Sequence, residues 1–213
     1  MVHRGIHVSG QADVGAGRSG HGGPDADGLR IGRLDLVPAS THPELLADPV
    51  VDALAVAARE HSSFADVAVA AIDPDLADTA AFCAAYDVAL KLSANCVVVA
   101  GKREGEQRIA ACVVLATTRA DVNGVVKRRL DVRKASFLSM DEAVALSGME
   151  YGGITPLGLP ADWPILVDAA VAELPWTIIG SGVRRSKIAI SGTALATLAA
   201  SGRGGVIAGL AVG

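Results

Sequence analysis

The chain has 213 residues, of which 51% are hydrophobic and only 3% aromatic, and its formal net charge is −4. That length suits one domain, or one domain with a tail, around a core that has to be built from Ala, Val, Leu and Ile. No apolar run reaches the roughly 18–20 residues a membrane helix needs, and no continuous apolar stretch of signal-peptide type opens the chain. The acidic balance argues against broad non-specific nucleic-acid binding and leaves open the recognition of a short nucleic-acid end in a local pocket.

Residues 1–28 are rich in Gly, Ser, His and Asp without a hydrophobic period, which predicts a mobile tail. His3, His7 and His21 lie there, in a segment with no fixed metal-binding geometry. Order is expected from about Leu29 to the end, with a strand over Ile31 to Val37. Thr41-His-Pro-Glu44 reads as a capping box opening a helix over about 42–60. Val67 to Ile72 reads as a strand, and a short helix over about 77–86 carries Phe82 and Tyr86 on one side. Cys96–Ala100 and Arg108–Thr117 form a predicted hairpin across the polar stretch Gly101 to Gly105.

Asp121 can cap a helix. Ser139-x-x-Glu142 is a second capping box, and Gly148 suits the end of its helix. Ile165–Asp168, Trp176–Ile179 and Lys187–Ile190 read as strands, Ser191 caps a last helix ending at Gly202, and Val206–Ala208 closes the chain as a strand. Several strands follow one another without long helices between them, which points to an α+β fold with a mixed sheet.

The chemistry has few places to sit. Cys83, Cys96 and Cys112 are odd in number and widely spaced, which suggests neither a disulfide framework nor a zinc site and fits a reducing cytoplasm. Gly180-Ser-Gly182 lacks the third glycine and following helix of a dinucleotide fingerprint, and no HExxH, CxxC or GxSxG occurs. His42 and His61 both fall near the ends of one predicted surface helix, so Ser-His-Asp catalysis has little support. Two glycine loops remain, 151–158 and 180–182, with Asp168 between them. They read either as tight turns or as backbone that approaches a ligand and offers free N–H groups to an oxyanion or phosphate. Asp168 reads either as part of such a site or as a turn cap.

The ordered series Asp121-Val-Asn123, Lys134-Ala-Ser136, Gly148-Met-Glu-Tyr-Gly-Gly-Ile-Thr-Pro-Leu-Gly158, Ile165-Leu-Val-Asp168, Ile179-Gly-Ser-Gly-Val-Arg-Arg185 and Lys187-Ile-Ala-Ile190 resembles the YbaK/prolyl-tRNA-synthetase-associated editing domains over about residues 85–210. The resemblance implies a single α+β domain over 29–213 with a mixed, barrel-like sheet and surrounding helices. It implies hydrolysis of the ester between an amino acid and the terminal adenosine of tRNA, in trans or as an insertion within prolyl-tRNA synthetase, with no metal, no cofactor and no protein nucleophile. The implied partners are the aminoacyl-tRNA acceptor end and an aminoacyl-tRNA synthetase. Carried over residue by residue, Gly152 and Gly153 line the pocket, Thr155 and Pro156 shape its loop, and Asp168 lies at its wall. Gly180, Ser181 and Gly182 approach the adenosine or acyl group. Arg184, Arg185 and Lys187 are candidates for phosphate contacts, with a solvated surface as the plain alternative.

Two departures stand out. Many members carry a lysine just before the first core strand, where Ser93-Ala-Asn-Cys-Val-Val98 places Asn95. Asn donates and accepts hydrogen bonds but carries no charge. Lys91 is a nearby substitute or an ordinary surface residue. Gly124 stands in a helix where the family often has a lysine, and costs that helix roughly 1 kcal/mol relative to Ala. The substitution at position 95 keeps a second reading in view, a non-catalytic module of the same fold that binds an aminoacyl-tRNA or a nucleotide. A third is hydrolysis of a different small ester by the same oxyanion geometry.

Overall fold

The computed structural model describes residues 30–213, so the expected tail and its histidines lie outside the described residues. In chain order, β1 is Val37–Pro38, α1 is Asp48–Glu60, β2 is Ala68–Ala71 and α2 is Thr79–Tyr86. The central hairpin is β3, Ala94–Arg103, and β4, Glu106–Leu115. Next come β5, Arg119–Ala120, a turn of π-helix over Val122–Val126, α3, Lys127–Leu130, β6, Ala135–Phe137, and α4, Met140–Ser147. The C-terminal part is β7, Ile165–Asp168, α5, Ala169–Ala172, β8, Thr177–Gly180, β9, Ser186–Ile190, α6, Gly192–Ser201, β10, Gly205–Ile207, and β11, Ala211–Val212.

The strands form open sheets, in the orders β1-β2-β9-β8 and β10-β7-β4-β3-β6, with β11 and β5 as a separate pair. The mixed α+β architecture is the expected one, whereas no closed barrel is found among the described residues. The two larger sheets meet at a single parallel bridge between Ser93, just before β3, and Ile178 in β8. Thr177 Oγ1 reinforces that seam by donating to the Leu92 carbonyl at 3.0 Å.

The core is aliphatic, as so few aromatics require. Ile179, Ile188, Ile190, Leu195, Leu157 and Leu210 are among its fully buried side chains, each stabilising the fold by about 1.5–3 kcal/mol. β4 reads as a continuous apolar run because both faces are covered. Val113 points into one cluster with Val167 and Leu195, while Cys112 and Val114 point into another with Val126 and Leu166.

Three expectations change. Ile31–Val37 is mostly not a strand: Gly32 adopts φ +56° where an added Cβ would lie 2.3 Å from the Tyr86 carbonyl oxygen, and Arg33 donates its N–H to that carbonyl at 2.8 Å. The segment wraps the end of α2, and its Ile31 and Leu34, three residues apart, bury in one cluster with Phe82. The helix expected from 42 starts at Asp48, because Thr41 Oγ1 turns back to the Pro38 carbonyl at 3.1 Å and two 3-10 turns fill the interval. The hairpin extends through Lys102 and Arg103, turning only at Glu104 and Gly105 with φ of 54° and 88°, the left-handed pair that a two-residue hairpin requires.

Other local readings agree with the sequence. Ser139 Oγ accepts from the Glu142 N–H at 3.3 Å, and Gly148 ends α4 at φ 68°. Ser191 accepts from Ala194 N–H at 3.1 Å to cap α6. Asp121 accepts from the N–H groups of Gly124 and Val125, both at 2.9 Å. A Cβ on Gly124 would fall 2.1 Å from the Asp121 carboxylate, so the glycine is what lets this cap close.

Candidate active site

A cavity of about 600 Å³ opens along the seam between the two larger sheets. Its walls come from the start of β3, from Ile178 to Gly180 in β8, from Lys187 in β9, from the start of α2, and from the segments around Phe137 and Tyr151. Its size suits a small organic group.

Asn95 is half-buried on this wall. Thr79 Oγ1 donates to its Oδ1 at 2.8 Å, which fixes the amide and leaves its NH2 group for a ligand. Lys187 is only 7% exposed. Its Nζ donates to the Ala77 carbonyl at 2.9 Å and stands 5.5 Å from the centre of the Phe82 ring. Burial lowers its pKa, with nearby Arg184 acting in the same direction against Cys83 and Asp78. The ammonium keeps two further N–H donors. Arg184 is clamped by donation to the Pro74 carbonyl at 2.8 Å and the Tyr151 carbonyl at 3.3 Å.

Asn95, Gly152, Gly180, Arg184 and Lys187 therefore converge on one cavity. The other expected site residues do not line it. The two glycine loops bond to each other: Gly182 N–H donates to the Gly153 carbonyl at 2.7 Å, Glu150 N–H to the Gly182 carbonyl at 2.8 Å, and Gly153 N–H to the Glu150 carbonyl at 2.9 Å. The N–H groups of Gly153 and Gly182 are thus already used. Ser181 is buried, its hydroxyl shared with Ser186 at 2.7 Å. Arg185 reaches away to the Glu44 carbonyl at 2.7 Å.

Pro156 and Thr155 are buried beneath the loop, and the Thr155 hydroxyl has no hydrogen-bond partner among the described residues. Asp168 caps α5, accepting from Ala170 N–H at 3.0 Å, and also accepts from Ala211 N–H at 3.0 Å. Its geometry is that of the turn cap. Lys91, His42 and His61 lie off the cavity wall.

Several lining residues were not singled out from the sequence. Asp78, at the mouth, caps α2 through Oδ1 with Ala80 N–H at 3.0 Å. The segment that supplies it precedes the well-matched part of the resemblance, and the sequence reading placed Asp78 inside the helix expected over about 77–86. Cys96 also lines the cavity, but burial, with a smaller contribution from Cys112, pushes its thiol well up and away from thiolate chemistry. Among the described residues no three His, Cys, Asp or Glu side chains group as metal ligands, and no helix is long and apolar enough to cross a membrane.

A family model described as the aminoacyl-tRNA editing domain matches residues 73–198, and the chain belongs to that family. Solved structures share the fold at low identity. A protein proposed to be a trans-editing enzyme for prolyl tRNA synthetase is 17% identical, with a TM-score of 0.62 over 78% of this chain and 96% of that one. A hypothetical protein is likewise 17% identical, with a TM-score of 0.62 over 74% of this chain and 99% of that one. A scaffold redesigned to present a linear epitope is 18% identical, with a TM-score of 0.64 over 78% of this chain and 97% of that one. None of the curated proteins matches the chain.

Proposed function

We propose that the chain is a trans-acting, cytoplasmic deacylase that hydrolyses the ester of mischarged aminoacyl-tRNA, with residues 29–213 forming one editing domain. The observation that carries this reading is the convergence of the fixed Asn95 amide and the buried Lys187 ammonium on one cavity of a chain belonging to the editing family. The resemblance puts a lysine, in many members, where this chain has Asn95. In this chain a cation enters the same cavity from β9 instead.

The aminoacyl group enters the cavity and its ester carbonyl meets the Asn95 NH2 and the Lys187 ammonium. Water adds to the carbonyl carbon, and negative charge gathers on the carbonyl oxygen, where fixed donors act most strongly. The bond to the ribose oxygen then breaks, that oxygen takes up the proton given up by the attacking water, and the free amino acid leaves. Asp78 at the mouth suits the substrate's α-ammonium. Gly152 and Gly180 allow close packing at the wall: a Cβ at Gly152 would lie 2.7 Å from Arg184 Nη1, and one at Gly180 would lie 2.3 Å from the Gly153 carbonyl oxygen.

The test is a deacylation assay on tRNAs charged correctly and incorrectly with Ala, Ser, Cys and Pro. Faster ester loss on a mischarged species supports the proposal and names the substrate. Binding without acceleration on any species overturns it in favour of a non-catalytic module of the same fold.

A further inference from the structure

The chain's charge is unevenly distributed. Against a net charge of −4, residues 102–108 and 127–134 together hold eight basic side chains and three acidic ones. The fold sets these segments side by side. Gly101 pairs with Ala135 across β3 and β6, and Arg103 and Arg108 reach Asp131 at 3.3 and 3.1 Å. Arg108 also donates to the Leu130 carbonyl at 2.9 Å. These two arginines tie the hairpin tip to α3 and neutralise Asp131. Lys102, Arg128, Arg129, Arg133 and Lys134 are exposed, and among the described residues they form no ion pair.

This basic strip adjoins the strand that carries a cavity-lining residue. Lys134 precedes β6, and Phe137 at the other end of that strand is 61% exposed and lines the cavity. Three residues of strand span about 10 Å. Tyr151, 56% exposed, lines the same mouth. With three Phe and two Tyr in the whole chain, leaving one of each exposed at a single opening costs the core material it is short of. Exposed aromatics beside cations suit unpaired bases, which stack on them irrespective of sequence, while lysines and arginines neutralise phosphates.

We infer that the face formed by the hairpin tip, α3 and the start of β6 binds the phosphates of a base-paired RNA stem, whose unpaired 3′ end crosses Phe137 and Tyr151 into the cavity. The inference rests on the deacylase reading for the identity of the RNA, and it assigns a docking surface outside the reacting groups.

The experiment uses the full chain and a labelled, uncharged RNA hairpin with a single-stranded CCA end, titrated at several salt concentrations. In parallel, hydrolysis of 3′-aminoacyl-adenosine, which has no stem, is followed. The R128E/R129E/R133E variant should bind the hairpin more than tenfold more weakly, with the slope of log K against log salt flattened by about 3. Its hydrolysis of aminoacyl-adenosine should match wild type, which also shows that it folds. Phe137→Ala should weaken binding of the CCA-ended hairpin and leave a blunt hairpin unaffected. Wild-type affinity and salt slope in the triple variant would overturn the inference, as would a wild type that binds no hairpin and prefers an acidic protein surface. Hairpin binding that depends on the three arginines, in a wild type that hydrolyses no aminoacyl ester, would count for this face and against the deacylase reading.

Discussion

Thr79 Oγ1 donates to Asn95 Oδ1 at 2.8 Å, joining the first turn of α2 to the second residue of β3. This contact decides which end of the amide faces the cavity. Thr79→Val removes the donor and frees the amide to rotate, so kcat/KM on the mischarged substrate should fall about tenfold, the worth of one lost hydrogen bond. Asn95→Ala removes the donor to the carbonyl itself and should cost about 100-fold. Steady-state kinetics on both variants provide the check. Equal, unchanged rates would remove Asn95 from the chemistry.

Lys187 brings charge to the cavity, and Lys187→Met should lower kcat/KM by about 100-fold while leaving a folded protein. The expected stability change is small and of either sign, since the variant removes both a buried charge and its bond to Ala77. Kinetics together with a melting curve separate the two effects.

Asp168→Ala should act on stability. The side chain satisfies the N–H groups of Ala170 and Ala211, so its loss should cost about 1–2 kcal/mol as a helix cap, with kcat/KM unchanged below the lowered Tm. Denaturant titration alongside the assay tests this. A rate loss with stability intact would restore Asp168 to the site.

Thr155 buries a hydroxyl that has no partner among the described residues. Thr155→Val exchanges it for a methyl group and should raise stability by about 1 kcal/mol. Chemical denaturation decides, and a clear loss would show that the hydroxyl is satisfied in solution.

Burial pushes the Cys112 thiol up from 9.0 to about 12. The unfolded chain therefore loses this proton first as pH rises, and the native state holds more protons between the two values. Stability from this group is fully present below pH 9 and is lost as pH climbs from about 9 toward 12. Cys112→Ala should flatten that alkaline decline relative to wild type, measured as Tm against pH.

Apart from the Thr41 capping box, elements governed by local rules were legible in the sequence. The caps at Asp121, Ser139 and Ser191 and the terminator Gly148 depend on residues a few positions apart, and each forms as read. Ile31 to Val37 misled because the segment wraps around α2, where a distant contact between Gly32 and Tyr86 overrides the local pattern. The lining of the cavity was partly legible for a related reason. Gly152, Gly180, Arg184 and Lys187 belong to motifs recognisable in sequence order, and Asn95 stands out as a departure from the pattern. The use of Gly153 and Gly182 on each other depends on two loops meeting in space, and spacing along a chain carries no trace of that. Asp78 and Phe137 reach the mouth only through tertiary packing.

β2 lies beside β9, pairing Ala70 with Lys187 and Val69 with Ile188, although the family match begins only at residue 73. A fragment cut at the matched boundary would strip β9 of a neighbour and present its unpaired amides and carbonyls, and the apolar Ile188 and Ile190, as an open flank to other molecules. Such a fragment would tend to stick to itself, and the strand that holds Lys187 would be the one to lose its alignment. The upstream segment, although outside the matched span, works as a splint on the strand that carries Lys187.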